Sequence, residues 1–300
     1  MSNNYTTNRA YLELHFSVLL WGFTGILGRL ITIDSSLLVW YRLLFTSLTL
    51  LLIPKLFHHL RQLDRRTVGQ LFGIGAIAAT HWLTFYGAIQ YSNVSVAVGC
   101  LATTSLFTSF IEPLFTKKKI KLLEVGIGAV VTIGLGIMFF YGMNFLTGII
   151  LGISSAFFAA LFTTFNKIVV DTKNPNPSAM TFVVMFGGWV FLCLTVPVYL
   201  QFFPQERLIP TQNDLFWLIV LAVGCTTLPF ILSLRAMKRL SAFASVLAIN
   251  MEPIYSIILA LIIFQENREL DWRFYLGTAI VTLAIFLFPV LQKKKIVKDE

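Results

Sequence analysis

A carboxylate, a guanidinium and an imidazole stand inside stretches of this chain that are otherwise apolar. Glu252, Arg42 and His81 each sit well within about 20 residues of hydrophobic sequence. A charge at the centre of a bilayer costs about 2.5–3.5 kcal/mol on insertion scales, so each one calls for a purpose. A buried carboxylate at position 252 suits a substrate ammonium or a proton. It equally suits a protonated acid bonded to a neighbouring helix. Pro253 follows it and removes one backbone donor, which is expected to free a carbonyl on the preceding turn. Ser245, Glu252 and Ser256 fall on one helical stripe, with Asn250 to one side. Such a polar stripe in an apolar helix should face a cavity or another helix. Arg42 follows Tyr41; its planar fork matches a substrate carboxylate bidentately. Snorkelling to the interface, or pairing with an acid of the protein, is the competing reading.

Other polar and aromatic residues share that setting. His81 and Phe85 lie on one face at i,i+4, as do Trp82 and Tyr86. The cluster reads either as the wall of an amphiphile pocket or as ordinary aromatic packing. Thr104, Thr108 and Glu112 form an i,i+4,i+8 series, in which the two threonines point toward the membrane centre as pocket candidates. Glu112 lies near a basic edge and is expected to pair there. Trp21 lies mid-stretch beside Gly22, which permits close helix approach, and is a further candidate for lining a cavity. Thr226, Thr227 and Pro229 interrupt another stretch, as a hinge or as a static kink. The candidate substrate-binding residues are therefore Trp21, Arg42, His81, Trp82, Tyr86, Thr104, Thr108, Asn250 and Glu252. No catalytic residue and no metal ligand is expected. Cys100, Cys193 and Cys225 have no metal-type spacing, and no nucleotide or other cofactor motif occurs.

The elements that must position these residues are transmembrane helices. Apolar residues make up 57% of the chain and charged residues 12%, against about 25% charged in soluble domains. A soluble globular protein is excluded on that ground. Ten hydrophobic stretches are long enough to cross a bilayer: 11–31, 36–54, 68–90, 94–115, 122–141, 147–168, 178–200, 214–235, 242–264 and 272–291. Eighteen Lys and Arg fall in connections on one side of this arrangement and three on the other. By the positive-inside rule both termini are cytoplasmic. The basic loops are thus topology signals, with at most some contact to anionic lipid, and the formal charge of +9 does not point to nucleic acid.

The stretches repeat. Gly87 to Asn93 aligns with Arg235 to Ser241 at an offset of 148, which also carries Thr104-Ser105 onto Glu252-Pro253 and Phe115 onto Ile263. Five crossings per copy is an odd number, so the second copy must enter the membrane from the opposite side. The expected fold is all-α, with ten transmembrane helices as two inverted five-helix repeats, 1–141 and 142–300. Secondary transporters built this way bind cargo near the midplane between the halves.

The whole chain resembles the EamA-like branch of the drug/metabolite transporter superfamily. Leu20-Trp21-Gly22 stands where that family has its Trp-small pair, and Tyr41-Arg42-Leu43 where it places an Arg in the second span. Asn93 to Ala97 matches its small-residue entry to the fourth span. In the second half, Leu240-Ser241-Ala242 leads into Asn250-Met251-Glu252-Pro253-Ile254 and then Ile263-Phe264-Gln265-Glu266, with 13 residues from Pro253 to Glu266 as in the family. Gln265 replaces a usual Gly. Ser105 stands where a Pro is common and Lys118 where a Glu is common, while a separate Glu112-Pro113 step follows Ser105. The resemblance implies a secondary carrier that exports amino acids or other small metabolites from the cytoplasm, working as a monomer or homodimer. Aromatic walls favour a lipid or hydrophobic-drug carrier as the alternative. A polytopic membrane enzyme would need a polar constellation, and neither HExxH, GxSxG nor a pair of intramembrane Asp is present. The partners expected are a small-molecule substrate, protons as a coupling ion and membrane lipids.

Overall fold

The computed structural model describes residues 7–117, 119–139, 145–205, 207–240, 248–249, 251–265 and 272–299. Those residues are helical apart from turns and short connections. In chain order the helices are α1 Thr7–Gly22, α2 Thr24–Leu30, α3 Ser35–Leu51, α4 Leu56–Leu60, α5 Arg65–Tyr91, α6 Val94–Leu101, α7 Thr104–Thr116 and α8 Leu122–Phe139. They continue as α9 Leu146–Lys173, α10 Pro177–Phe202, α11 Gln212–Ala222, α12 Leu228–Met237, α13 Glu252–Phe264 and α14 Trp272–Asp299.

Among the described residues six helical stretches are long and apolar enough to cross a membrane: Asn8–Leu30, Arg65–Tyr91, Val94–Thr116, Leu146–Lys173, Pro177–Phe202 and Gln212–Met237. Helices also stand at the other four positions expected from the sequence, as α3, α8, α13 and α14. Leu114, Leu194, Phe202 and Ile262 point outward and exposed. Lipid is the solvent that makes such a surface stable.

Several helices expected to be continuous are interrupted. Phe23 separates α1 from α2, with its N–H on the Leu20 carbonyl at 3.3 Å. Between α11 and α12 the chain widens into a π-turn, Val223–Thr227, which is where Thr226, Thr227 and Pro229 were expected to disturb the helix. Pro229 lies in the first turn of α12, directly after the π-turn. The Glu252-Pro253 step also differs from expectation. It opens α13, so Pro253 frees no carbonyl in a helix interior. Residues 241–247, including Ser245, lie outside the described residues.

The repeat is visible in backbone detail. Thr103 N–H meets the Cys100 carbonyl at 3.1 Å and Phe107 N–H the Thr103 carbonyl at 3.1 Å. At an offset of 148, Met251 N–H meets the Ala248 carbonyl at 3.0 Å and Tyr255 N–H the Met251 carbonyl at 3.1 Å. The helices that follow both have 13 residues and both end on a left-handed residue, Lys117 at φ 56° and Gln265 at φ 51°.

The two halves interleave rather than pack as separate bodies. α5 lies against α9 and α10, and α1 against α12 and α13. Small residues make the closest approaches possible. A Cβ on Gly75 would strike the Val184 carbonyl and sit 2.6 Å from the Gly188 nitrogen. A Cβ on Gly22 would lie 2.9 Å from that of Tyr255, which draws the α1–α2 break onto α13.

Candidate functional site

A cavity of about 120 Å³ lies among α1, α2, α3, α5, α6, α7, α9, α12 and α13. One water needs roughly 10–15 Å³, so there is room for a small organic molecule. The cavity brings together Trp21, Arg42, His81, Trp82, Thr104 and Glu252 from the sequence-based set.

Arg42 is 1% exposed, so it does not snorkel. Its Nε donates to Thr226 Oγ1 and its Nη1 to the Tyr86 hydroxyl, both at 2.9 Å. Its guanidinium carbon lies 4.2 Å from the centre of the Trp82 ring, a cation–π contact. All three partners are neutral, and no carboxylate reaches ion-pair distance of Arg42 among the described residues. These two bonds use two of the five N–H groups of the guanidinium. The π-turn serves this arrangement: the Thr226 hydroxyl donates to the Leu221 carbonyl, five residues back, at 2.9 Å, which leaves its lone pair for Arg42. A buried cation without a counter-ion is costly, and the cavity is where an anionic group can meet it.

Glu252 is the first residue of α13, where the helix dipole favours a carboxylate. One turn on, the Ser256 hydroxyl donates to the Gly22 carbonyl at 2.8 Å. That bond holds the Glu252 face against the α1–α2 break, beside Trp21 and Thr24. Glu252 makes no ion pair or hydrogen bond among the described residues.

His81 Nδ1 lies 3.0 Å from the Ser155 carbonyl and 2.8 Å from its hydroxyl. A carbonyl only accepts, so Nδ1 carries the proton. In the neutral ring Nε2 is then an acceptor. Aromatic rings close the rest: Phe230 lies 5.4 Å from Trp21, 5.8 Å from Trp82 and 5.7 Å from Phe162, centroid to centroid.

Tyr86 and Thr108 stand elsewhere than expected. Tyr86 lies behind Arg42 and holds it, and the Thr108 hydroxyl donates to its own helix at the Thr104 carbonyl. Neither lines the cavity. Asn250 lies outside the described residues. The lining also includes Thr24, Phe162, Thr163, Asn166, Ser233 and Phe230, which were not expected. Only Asn166 carried a sequence signal, as an amide within an apolar stretch.

The bundle is tied at both ends. Asp214, fully buried, accepts from Thr32 N–H at 2.7 Å and from the Thr211 hydroxyl at 2.7 Å. At the other end Glu13 receives Arg235 Nη2 at 2.6 Å and Nε at 2.8 Å.

The profile of the EamA-like transporter family matches residues 9–141 and again 146–289. The chain belongs to this family. An EamA-like protein is a membrane transporter, and the doubled match agrees with the repeated backbone at the Thr103 and Met251 breaks. A solved crystal structure superposes over 96% of this chain and 98% of its own, with a TM-score of 0.67 and 13% identity. At that identity the likeness is one of fold. No curated protein matches the chain.

Proposed function

We propose that this EamA-like protein is a secondary carrier that exports a small amino-acid-like metabolite across the cytoplasmic membrane by alternating access. The observation that carries the reading is the presence of Arg42 and Glu252 on one cavity, neither in an ion pair among the described residues. A zwitterion supplies a carboxylate for one and an ammonium for the other. The aromatic rings between them suit the carbon frame of such a cargo.

The topology belongs to the same proposal. Ten spans in two inverted halves, 1–141 and 142–300, place both termini in the cytoplasm and the eighteen-to-three Lys and Arg imbalance on that side. The cavity reaches Asn166 and Met237, next to the basic end at Lys167 and Arg235. Asp214 and Thr32 close the opposite end. This fits a carrier loaded from the cytoplasm.

Counterflow in proteoliposomes with a panel of labelled amino acids tests the reading. Accumulation blocked by unlabelled excess is the expected result. Failure of every amino acid, in folded protein, rejects it. The aromatic wall of Trp21, Trp82, Phe162 and Phe230 favours lipids or hydrophobic drugs as the second class to assay.

A further inference from the structure

Asn166 is 4% exposed, lines the cavity, and its amide oxygen has no hydrogen-bond partner among the described residues. No bond from its amide nitrogen occurs among the described residues either. An unmet buried amide costs about 1–3 kcal/mol, so a native site with one invites a partner. Thr163 precedes it by three residues on the same face of α9 and also lines the cavity. Threonines in these helices ordinarily return their hydroxyl to the carbonyl four residues back, as Thr80, Thr84, Thr108, Thr172 and Thr181 do. Thr163 makes no such bond.

The position of this pair is informative. Trp82 carries Arg42 on its face and touches Phe162, at 6.4 Å between centroids. Asn166 is one helical turn past Phe162, roughly 6 Å along α9. It shares its end of the cavity with Met237, whose carbonyl receives Lys167 Nζ at 3.4 Å. Asn166 is therefore displaced along α9 from the Phe162–Trp82 contact that borders Arg42, and Thr163 lies between Phe162 and Asn166 along the helix.

We infer that Thr163 and Asn166 form a subsite for the far end of the cargo, and that the cargo is an amino acid whose side chain ends in a carboxamide. An amide against an amide satisfies a donor and an acceptor at once, in one plane. The Thr163 hydroxyl adds a further donor or acceptor. Glutamine and asparagine carry this group; leucine matches the bulk without the polarity. A site built to hydrogen-bond a substrate group rejects the analogue lacking it. The inference rests on the zwitterion reading and deepens it.

Counterflow of labelled glutamine, asparagine and leucine separates the two. Glutamine or asparagine should exceed leucine by at least about tenfold. Asn166→Leu should cut that ratio by about tenfold, and Thr163→Val, which keeps the volume, should cut it by a smaller factor that does not depend on the first variant folding. An unchanged thermal midpoint alongside a changed ratio distinguishes a cargo contact from a structural role. Equal accumulation of amide and apolar amino acids by the wild type, or a ratio untouched by the variants, overturns the subsite and leaves the zwitterion reading standing. Accumulation of none of the wider amino-acid panel overturns both.

Discussion

Arg42 lies over the face of Trp82 at 4.2 Å and is tied only to neutral groups, Thr226 and Tyr86. A buried charge held in place but not neutralised is poised for a ligand. Arg42→Met removes a buried cation that no carboxylate neutralises among the described residues, so the thermal midpoint should hold or rise. Binding should weaken by about 2–5 kcal/mol, or roughly 30-fold or more. Arg42→Lys should not rescue it, because a lysine cannot make the two-armed contact. Thermal melts and counterflow on the same preparations check both halves of this expectation.

Glu252→Gln keeps shape and hydrogen-bonding capacity but loses the charge. Folding and insertion should survive. Uptake of an ammonium-bearing cargo should fall by at least about tenfold, while binding of a neutral analogue without the amine should be spared. Equal loss for both would show that the carboxylate supports the helix start and not the cargo.

Asp214 accepts from both the backbone and the side chain of Thr32, joining the α2–α3 connection to the start of α11. Asp214→Ala leaves a backbone donor unmet and should cost about 1–3 kcal/mol. A cysteine placed at position 32 should react faster with an impermeant thiol reagent in that background than with Asp214 intact.

Asp64 caps α5 by accepting from Thr67 N–H at 3.3 Å. The Thr67 hydroxyl, first of all, holds its carboxyl below the usual carboxylate value, helped by that backbone bond and by Lys173 nearby. A lowered folded value means that this cap contributes fully above the unfolded carboxylate range, near pH 4. The contribution is lost as pH falls through the lower, folded value. Asp64→Asn should therefore lower the thermal midpoint at pH 7, and the gap to wild type should shrink as pH falls below the unfolded carboxylate value and through the lower, folded one.

Gly75 and Gly188 let α5 and α10 touch backbone to backbone. Gly75→Ala drives a methyl into fixed carbonyl and amide groups and should destabilise by about 1–3 kcal/mol or more. Gly69→Ala, on the same helix with open space around it, should be neutral or stabilising. Comparing the two in one melt series isolates packing from helix propensity.

Much of this architecture is legible in the residues. The 148-residue offset seen in Thr104-Ser105 and Glu252-Pro253 reappears as matching backbone hydrogen bonds at Thr103 and Met251. Arg42, His81 and Glu252 stood out because polar groups in apolar helices are expensive, and the fold gathers all three at one cavity. Other features were hidden for physical reasons. A proline reads alike as a kink and as a helix start, so the new helix at Glu252 could not be told from a bent one. Phe162 and Phe230 were two among 28 phenylalanines, and in helices that are apolar all round no face stands out. Asn166 lies beside Lys167 near the end of the 147–168 stretch, where a polar residue is ordinary. Thr226 as the acceptor for Arg42, 184 residues away, needs the fold.

The doubled family match pairs each position of one repeat with a twin in the other. Thr104 and Glu252 are such twins, each opening a 13-residue helix at the same offset, and both face the cavity. One twin is a neutral hydroxyl and the other an acid. A chamber with identical twins would accept a cargo in either of two poses, head for tail. With the acid on one copy alone, a molecule bearing a single amine would have one favoured pose, and its head-to-tail direction would be set by where the two copies ceased to be the same.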